Sequence, residues 1–123
     1  MQNSHFDLTI HGGTVVTLQG VQKVDIGIAD GKIAEIATSV SRPSKRQIDA
    51  TGRYVLPGGV DTHCHIEQIS GAGLMNADTF ETATRSATLG GTTTTVSFAA
   101  QHPGQRMRQV VADYSALARK GAV

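Results

Sequence analysis

A length of 123 residues allows one ordinary domain, and an apolar share of 39% supports a core even though aromatics make up only 4%. A formal charge of +1, with charges scattered along the chain, excludes a basic field for nucleic acid and an acidic tail. The single cysteine excludes an internal disulfide and fits a reducing compartment, and no apolar run approaches the roughly 18 residues of a membrane span.

Short strands joined by turns are predicted for the first fifty residues. Phe6–Ile10 alternates apolar and polar residues, His11-Gly12-Gly13 supplies a turn, and Thr14–Leu18 follows as a second strand. Val24–Ile28 alternates again and leads to Asp30-Gly31, both of which tolerate positive φ, so a hairpin is predicted with Lys32–Ile36 as its return strand. The polar stretch Thr38–Gln47 contains Pro43 and reads as a loop, its cluster Arg42, Lys45 and Arg46 being a solvated face. Ile48–Ala50 forms one further short strand. Asp7 comes early, and no basic region leads into a long apolar stretch, so no signal peptide is read and a cytoplasmic protein is expected.

The character changes near Tyr54. Val55-Leu56-Pro57-Gly58-Gly59 leads into a predicted strand over Val60–Ile66, followed by a Gly-containing loop from Ser70 to Ala77. Asp78 and Glu81 have the spacing of a helix cap and its partner, so a helix is predicted from Asp78 to about Leu89, stopped by Gly90 and Gly91. Thr92–Ala99 is β-branched and aromatic, hence a strand, and its threonine run is explained by β propensity. Gly104 and Gln105 open a second helix ended by Gly121. Its stripe of Met107, Val110, Val111, Tyr114, Leu117 and Ala118 has the spacing of one apolar face, packed against a sheet.

The segment Asp61-Thr62-His63-Cys64-His65 carries the chemistry. On a strand, alternate residues share a face, so Asp61, His63 and His65 would point the same way and Cys64 the other, as a small buried filler. Two imidazoles converging from one strand suit a first-row metal such as zinc, but two ligands do not complete a site. Glu67 and Gln68 follow at once and are candidates for bordering a substrate pocket. His5 and His11 read as surface residues of the strand region, and His102 as a loop residue after the second strand. The order strand, helix, strand, helix points to an α/β barrel or a doubly wound sheet, with the histidines at the C-terminal end of the first strand.

The motifs D-L-T-I-H-G-G-T-V-V, D-G-K-I-A-E-I, I-D-A-T-G-R-Y-V-L-P-G-G-V-D-T-H-C-H and G-G-T-T-T occur in the order and spacing of the amidohydrolase superfamily. Within it the chain most resembles the dihydropyrimidinase/hydantoinase-like cyclic amidases. The resemblance covers nearly all of this chain but only the N-terminal part of a family member. It implies an α/β fold: the first two βα units of a (β/α)8 TIM barrel over residues 55–123, preceded by the N-terminal part of a small β-sandwich over residues 1–54. It also implies two divalent metal ions, usually zinc, bridged by a carboxylated lysine and a hydroxide, with a later Asp handling the proton.

Carried over by motif, His63 and His65 match ligands of one metal, and Asp61 matches the upstream Asp that orients the site. The bridging lysine, two later histidines and the catalytic Asp would lie beyond Val123, so no catalytic residue is expected within this chain. Lys23, Lys32, Lys45 and Lys120 fall on strands, a loop or a helix end, and none is assigned as the bridging group. Ser97 stands where many cyclic amidases carry an Asp, which leaves the ring hydrolysed open. The implied substrate is a small cyclic amide or imide, and the implied assembly a homo-oligomer, tetramer or dimer, with no nucleic acid and no membrane. Alternatives are a dihydroorotase, an allantoinase, an N-acyl-D-amino acid deacylase, or a non-catalytic scaffold related to dihydropyrimidinase. Made alone, the chain is expected to be inactive, to fold weakly and to self-associate, because the second helix would be only partly covered.

Overall fold

The computed structural model describes residues 5–123, and these divide into two units, one up to Pro57 and one from Gly58 to Val123. The first unit holds seven of the strands: β1 (Leu8–His11), β2 (Thr14–Thr17), β3 (Gly20–Lys23), β4 (Asp25–Ala29), β5 (Lys32–Ala37), β6 (Gln47–Asp49) and β7 (Tyr54–Val55). They form a four-stranded sheet in the order β5-β4-β1-β6 and a three-stranded sheet in the order β3-β2-β7. Val15 from the second sheet packs with Ile26 from the first and with Val24, and Ile10, Ile28 and Val55 close around them. One apolar face from each sheet therefore makes a small sandwich core.

The predicted hairpin is present. Asp30 and Gly31 have φ of 52° and 69°, the left-handed pair that joins two strands of matching twist, and Asp25–Ala29 pairs antiparallel with Lys32–Ala37. Beside it, Phe6 is fully buried against Gly27, where a Cβ would come within 2.6 Å of the ring. The Arg42 guanidinium lies 4.4 Å from the centroid of that ring. Arg42 thus has a packing partner, while Lys45 pairs with Asp7 at 2.8 Å.

Two strands were not predicted. Gly20–Lys23 is exposed throughout and holds only one large apolar residue, so it carries no alternation; it forms by pairing with Thr14–Thr17. Tyr54–Val55 is a two-residue parallel strand against Thr14–Val15, and nothing local to it announces a partner forty residues away.

The second unit runs β8 (Gly59–Cys64), α1 (Phe80–Leu89), β9 (Thr92–Ser97) and α2 (Met107–Gly121), with β8 and β9 parallel. This order matches the predicted strand, helix, strand, helix. The cap of α1 is Thr79, not Asp78. Thr79 is extended (φ −85°, ψ 170°), its hydroxyl accepts from the Thr82 amide, and the Thr82 hydroxyl accepts from the Thr79 amide in return. Asp78 accepts from the Thr82 hydroxyl at 2.8 Å, and Glu81 pairs with Arg85 one turn on. A threonine three residues after the cap has displaced the glutamate expected in that role.

Along α2, Val110, Tyr114 and Ala118 are half-buried, whereas Met107, Val111 and Leu117 are exposed. The stripe is therefore packed on one flank only. No helix among the described residues is long and apolar enough to cross a membrane.

Candidate metal-binding site

The strand that carries the histidines ends earlier than predicted. Pairing with β9 shifts register between Asp61 and Cys64 and stops at Cys64 opposite Ser97, so His65 and Ile66 lie in the loop beyond it. Groups from other elements take the carbonyls around the strand end. The Cys64 carbonyl accepts from the Phe98 amide and the Ser97 hydroxyl, both at 3.2 Å, and the Ile66 carbonyl accepts from the Tyr114 hydroxyl at 2.6 Å. Cys64 is half-buried rather than the buried filler expected from alternation, because the face it occupies is incompletely covered.

The two imidazoles nevertheless converge. Their ring centroids are 5.4 Å apart in an edge-to-face arrangement, and both lie on Phe98, His63 at 4.5 Å and His65 stacked at 5.0 Å with planes 12° apart. Asp61 does not meet either ring. Its carboxylate accepts from the His63 backbone amide at 3.0 Å, so it fixes the backbone from which the His63 ring projects.

His65 is oriented by its own loop. Its Nδ1 lies 3.1 Å from Gln68 Oε1, and a carbonyl oxygen can only accept, so the contact is a hydrogen bond in the tautomer with hydrogen on Nδ1, the one that leaves its lone pair on Nε2. Gln68 is buried and held in turn by Asn76, whose side chain accepts from the Gln68 amide and whose own amide donates to the Gln68 carbonyl, both at 2.9 Å. Gln68 Nε2 is buried with no acceptor among the described residues, leaving one hydrogen bond ungiven.

Of the two pocket-bordering candidates, Gln68 lines a cleft of about 280 Å³ together with His65, Ile69, Asn76 and His102. Glu67 does not. It sits at φ 49° and turns its carboxylate onto the Phe80 amide at 2.9 Å, at the start of α1. A carboxylate there satisfies an orphan amide and faces the positive end of the helix dipole. His102 comes to the cleft that His65 lines, as its place after the second strand allowed.

Ser97 makes no charged contribution. Its hydroxyl is 2.6 Å from Tyr114 Oη and ties β9 to α2. The roles of Phe98, Ser97 and Tyr114 around the histidines were invisible in the sequence, since each depends on a contact made outside its own element. Among the described residues no group of three or more His, Cys, Asp or Glu is arranged to hold a metal.

The chain is 48% identical over 112 residues to the D-hydantoinase of Rhizobium radiobacter, a match that covers 91% of this chain and 24% of that protein. It superposes on the crystal structure of dihydropyrimidinase from Brevibacillus agri with a TM-score of 0.86 at 35% identity, over 93% of this chain and 24% of that one. The chain belongs to the D-hydantoinase/dihydropyrimidinase family of amidohydrolases. It corresponds to the N-terminal portion and spans about a quarter of the length of the curated relatives it matches. The sheet-rich first unit matches the β-sandwich region of the family's structures. A more distant likeness, with a TM-score of 0.60 and 29% identity over 83% of this chain and 22% of the other, is to N-acyl-D-glutamate deacylase from Bordetella bronchiseptica in complex with zinc and a phosphonate inhibitor. A scan against protein-family models finds no match.

Proposed function

We propose that the complete protein is a metal-dependent hydrolase of carbon–nitrogen bonds in five- or six-membered cyclic amides or imides, hydantoinase- or dihydropyrimidinase-like. In this reading residues 1–54 are the N-terminal part of the β-sandwich domain, and residues 55–123 begin a (β/α)8 TIM barrel with β8 and β9 as its first strands. The observation that carries the reading is the convergence of His63 and His65, with the Nε2 lone pair of His65 left available by the Gln68 contact.

Two imidazoles side by side fit a zinc ion as two of its ligands and leave it short of four, so this chain supplies a share of the site. His63 and His65 would hold the metal, and Asp61 would fix the backbone of the first. When bound, the two-metal centre supplies a Lewis acid and a hydroxide nucleophile at neutral pH. What the chain's own residues contribute is placement: Phe98 sets the spacing of the rings, Gln68 fixes the tautomer of His65, and the cleft beside His65 gives a small ring somewhere to sit. The bridging lysine and catalytic Asp belong to other segments, so these 123 residues alone should not turn over substrate. We place the protein in the cytoplasm and expect the complete protein to be a homo-oligomer.

The test is a panel of hydantoin, dihydrouracil, dihydroorotate, allantoin and an N-acyl-D-amino acid, assayed on the protein that carries these residues in full, alongside its metal content. Hydrolysis of a cyclic amide with about two metals bound per chain is the expected outcome. A protein with no bound metal and no hydrolysis on the panel would defeat the reading in favour of a scaffold. Turnover confined to allantoin, dihydroorotate or the acyl amino acid would move it to one of the sister activities.

A further inference from the structure

Beyond Cys64 the strand ladder no longer holds the chain, yet His65 sits one residue past that point. The carbonyls on either side of it are both held from other elements, that of Cys64 by the Phe98 amide at 3.2 Å and that of Ile66 by a hydroxyl. Tyr114, midway along α2, donates to the Ile66 carbonyl at 2.6 Å. Its oxygen is then free to accept from Ser97 at 2.6 Å, and the Ser97 oxygen also lies 3.2 Å from the Cys64 carbonyl. The Tyr114 ring is seated 5.1 Å from that of Phe80, which is buried and whose amide is bound by Glu67, two residues after His65. One phenol on a helix thus connects the end of β9, the start of α1 and the loop that presents His65.

We propose that Tyr114, acting with Ser97, is a positioning residue for His65. Its hydroxyl fixes the backbone just after that histidine and holds Ser97 beside the carbonyl just before it, so the imidazole stacks on Phe98 and meets Gln68 in one orientation. The inference rests on the reading of His65 as a metal ligand for its functional meaning, but the positioning itself can be measured without metal. A phenylalanine at position 114 keeps the ring against Phe80 and removes only the two hydrogen bonds. Loss of such an outer partner typically weakens metal binding roughly ten- to a hundredfold.

The experiment is NMR of the protein that carries these residues in full, with isotope-labelled histidine, for the wild type, Tyr114→Phe and Ser97→Ala, first without metal and then titrated with Zn²⁺ alone. In the wild type, the His65 ring signals should carry the shielding of a stacked phenyl ring and the pattern of a single tautomer with hydrogen on Nδ1. In Tyr114→Phe that shielding should fall and the tautomer pattern should average, while the backbone signals of the helix α1 stay in place. The Zn²⁺ midpoint should rise at least about tenfold. A merely structural role would move the signals of the whole unit together, or none.

Unchanged His65 ring signals in Tyr114→Phe overturn the proposal. Should that variant unfold its unit, Ser97→Ala decides by the same ring signals, since it leaves the aromatic packing intact. Zn²⁺ that leaves the His63 and His65 signals of the wild type unmoved overturns the metal reading, while the metal-free spectra still decide the positioning role.

Discussion

Gly58 lies just before the strand that carries His63, and the space around it explains why the chain has glycine there. Its φ is outside the left-handed region, so alanine meets no backbone objection. A Cβ at Gly58, however, would run into the side chain of Thr93 on the partner strand, 2.5 Å from Cγ2 and 2.7 Å from Cβ. Rotating Thr93 could remove the hydroxyl and methyl from the path, but not its Cβ. Ordinary contact begins near 3.4 Å, so the two backbones must part by several tenths of an ångström at the start of the parallel pair. Overpacking of this kind costs about 1–3 kcal/mol, and in a domain of this size each kcal/mol lowers the melting temperature by about 4–8 °C. Thermal unfolding followed by circular dichroism should therefore show Gly58→Ala melting at least about 4 °C below the wild type. The diagnostic step is a double-mutant cycle with Thr93→Gly, which deletes every atom in the way. The cycle should return a coupling of about 0.5–3 kcal/mol in favour of the double variant. An unshifted melt for Gly58→Ala, or two effects that simply add, would refute the steric argument.

Thr79→Ala removes the hydroxyl that caps α1 and should lower stability by about 0.5–2 kcal/mol in denaturant unfolding. Asp78→Ala should cost less, because Asp78 only supports the cap through Thr82; the reverse ranking would return the cap to Asp78. In the first unit, the His11 imidazole and the Gly12 amide hold the Asp25 carboxyl below its ordinary value of 3.8, despite some opposing burial. A carboxyl whose folded pKa is depressed adds stability that is present above 3.8 and lost as pH falls below it toward the folded value. Asp25→Asn should therefore be less stable at neutral pH and lose less on acidification through that window. Parallel stability–pH curves for the two proteins would show that this carboxylate carries no such linkage.

The local chemistry of this sequence was enough to place several of its elements. Asp30-Gly31 dictates a turn with both residues at positive φ, and that turn alone sets the direction of the strand after it. The apolar spacing of 107–118 dictates a helix, and the H-x-H spacing brings two imidazoles to one side wherever that segment is extended. Each of these depends on residues a few positions apart, which a linear reading contains. The ordered motifs were also enough to identify the family, because glycine, proline and histidine at fixed spacing are constraints that a reading of the chain can match directly.

Only the tertiary structure decided the pairings and the ends. Thr9 meets Gln47 and Thr14 meets Tyr54 in parallel, contacts spanning about forty residues that leave no local trace. The histidine strand ends at Cys64, and the carbonyls on either side of His65 are taken from elsewhere in the chain, by the Phe98 amide and the Tyr114 hydroxyl. Gln68, read from sequence as a pocket residue, lines the cleft and also sets the ring of His65, while Glu67 is spent on a helix start. Sequence fixes which side chains are available and with what period. Which of them faces which is settled by the packing of distant segments, where a hydrogen bond left unmade in a buried place costs more than any local preference can return.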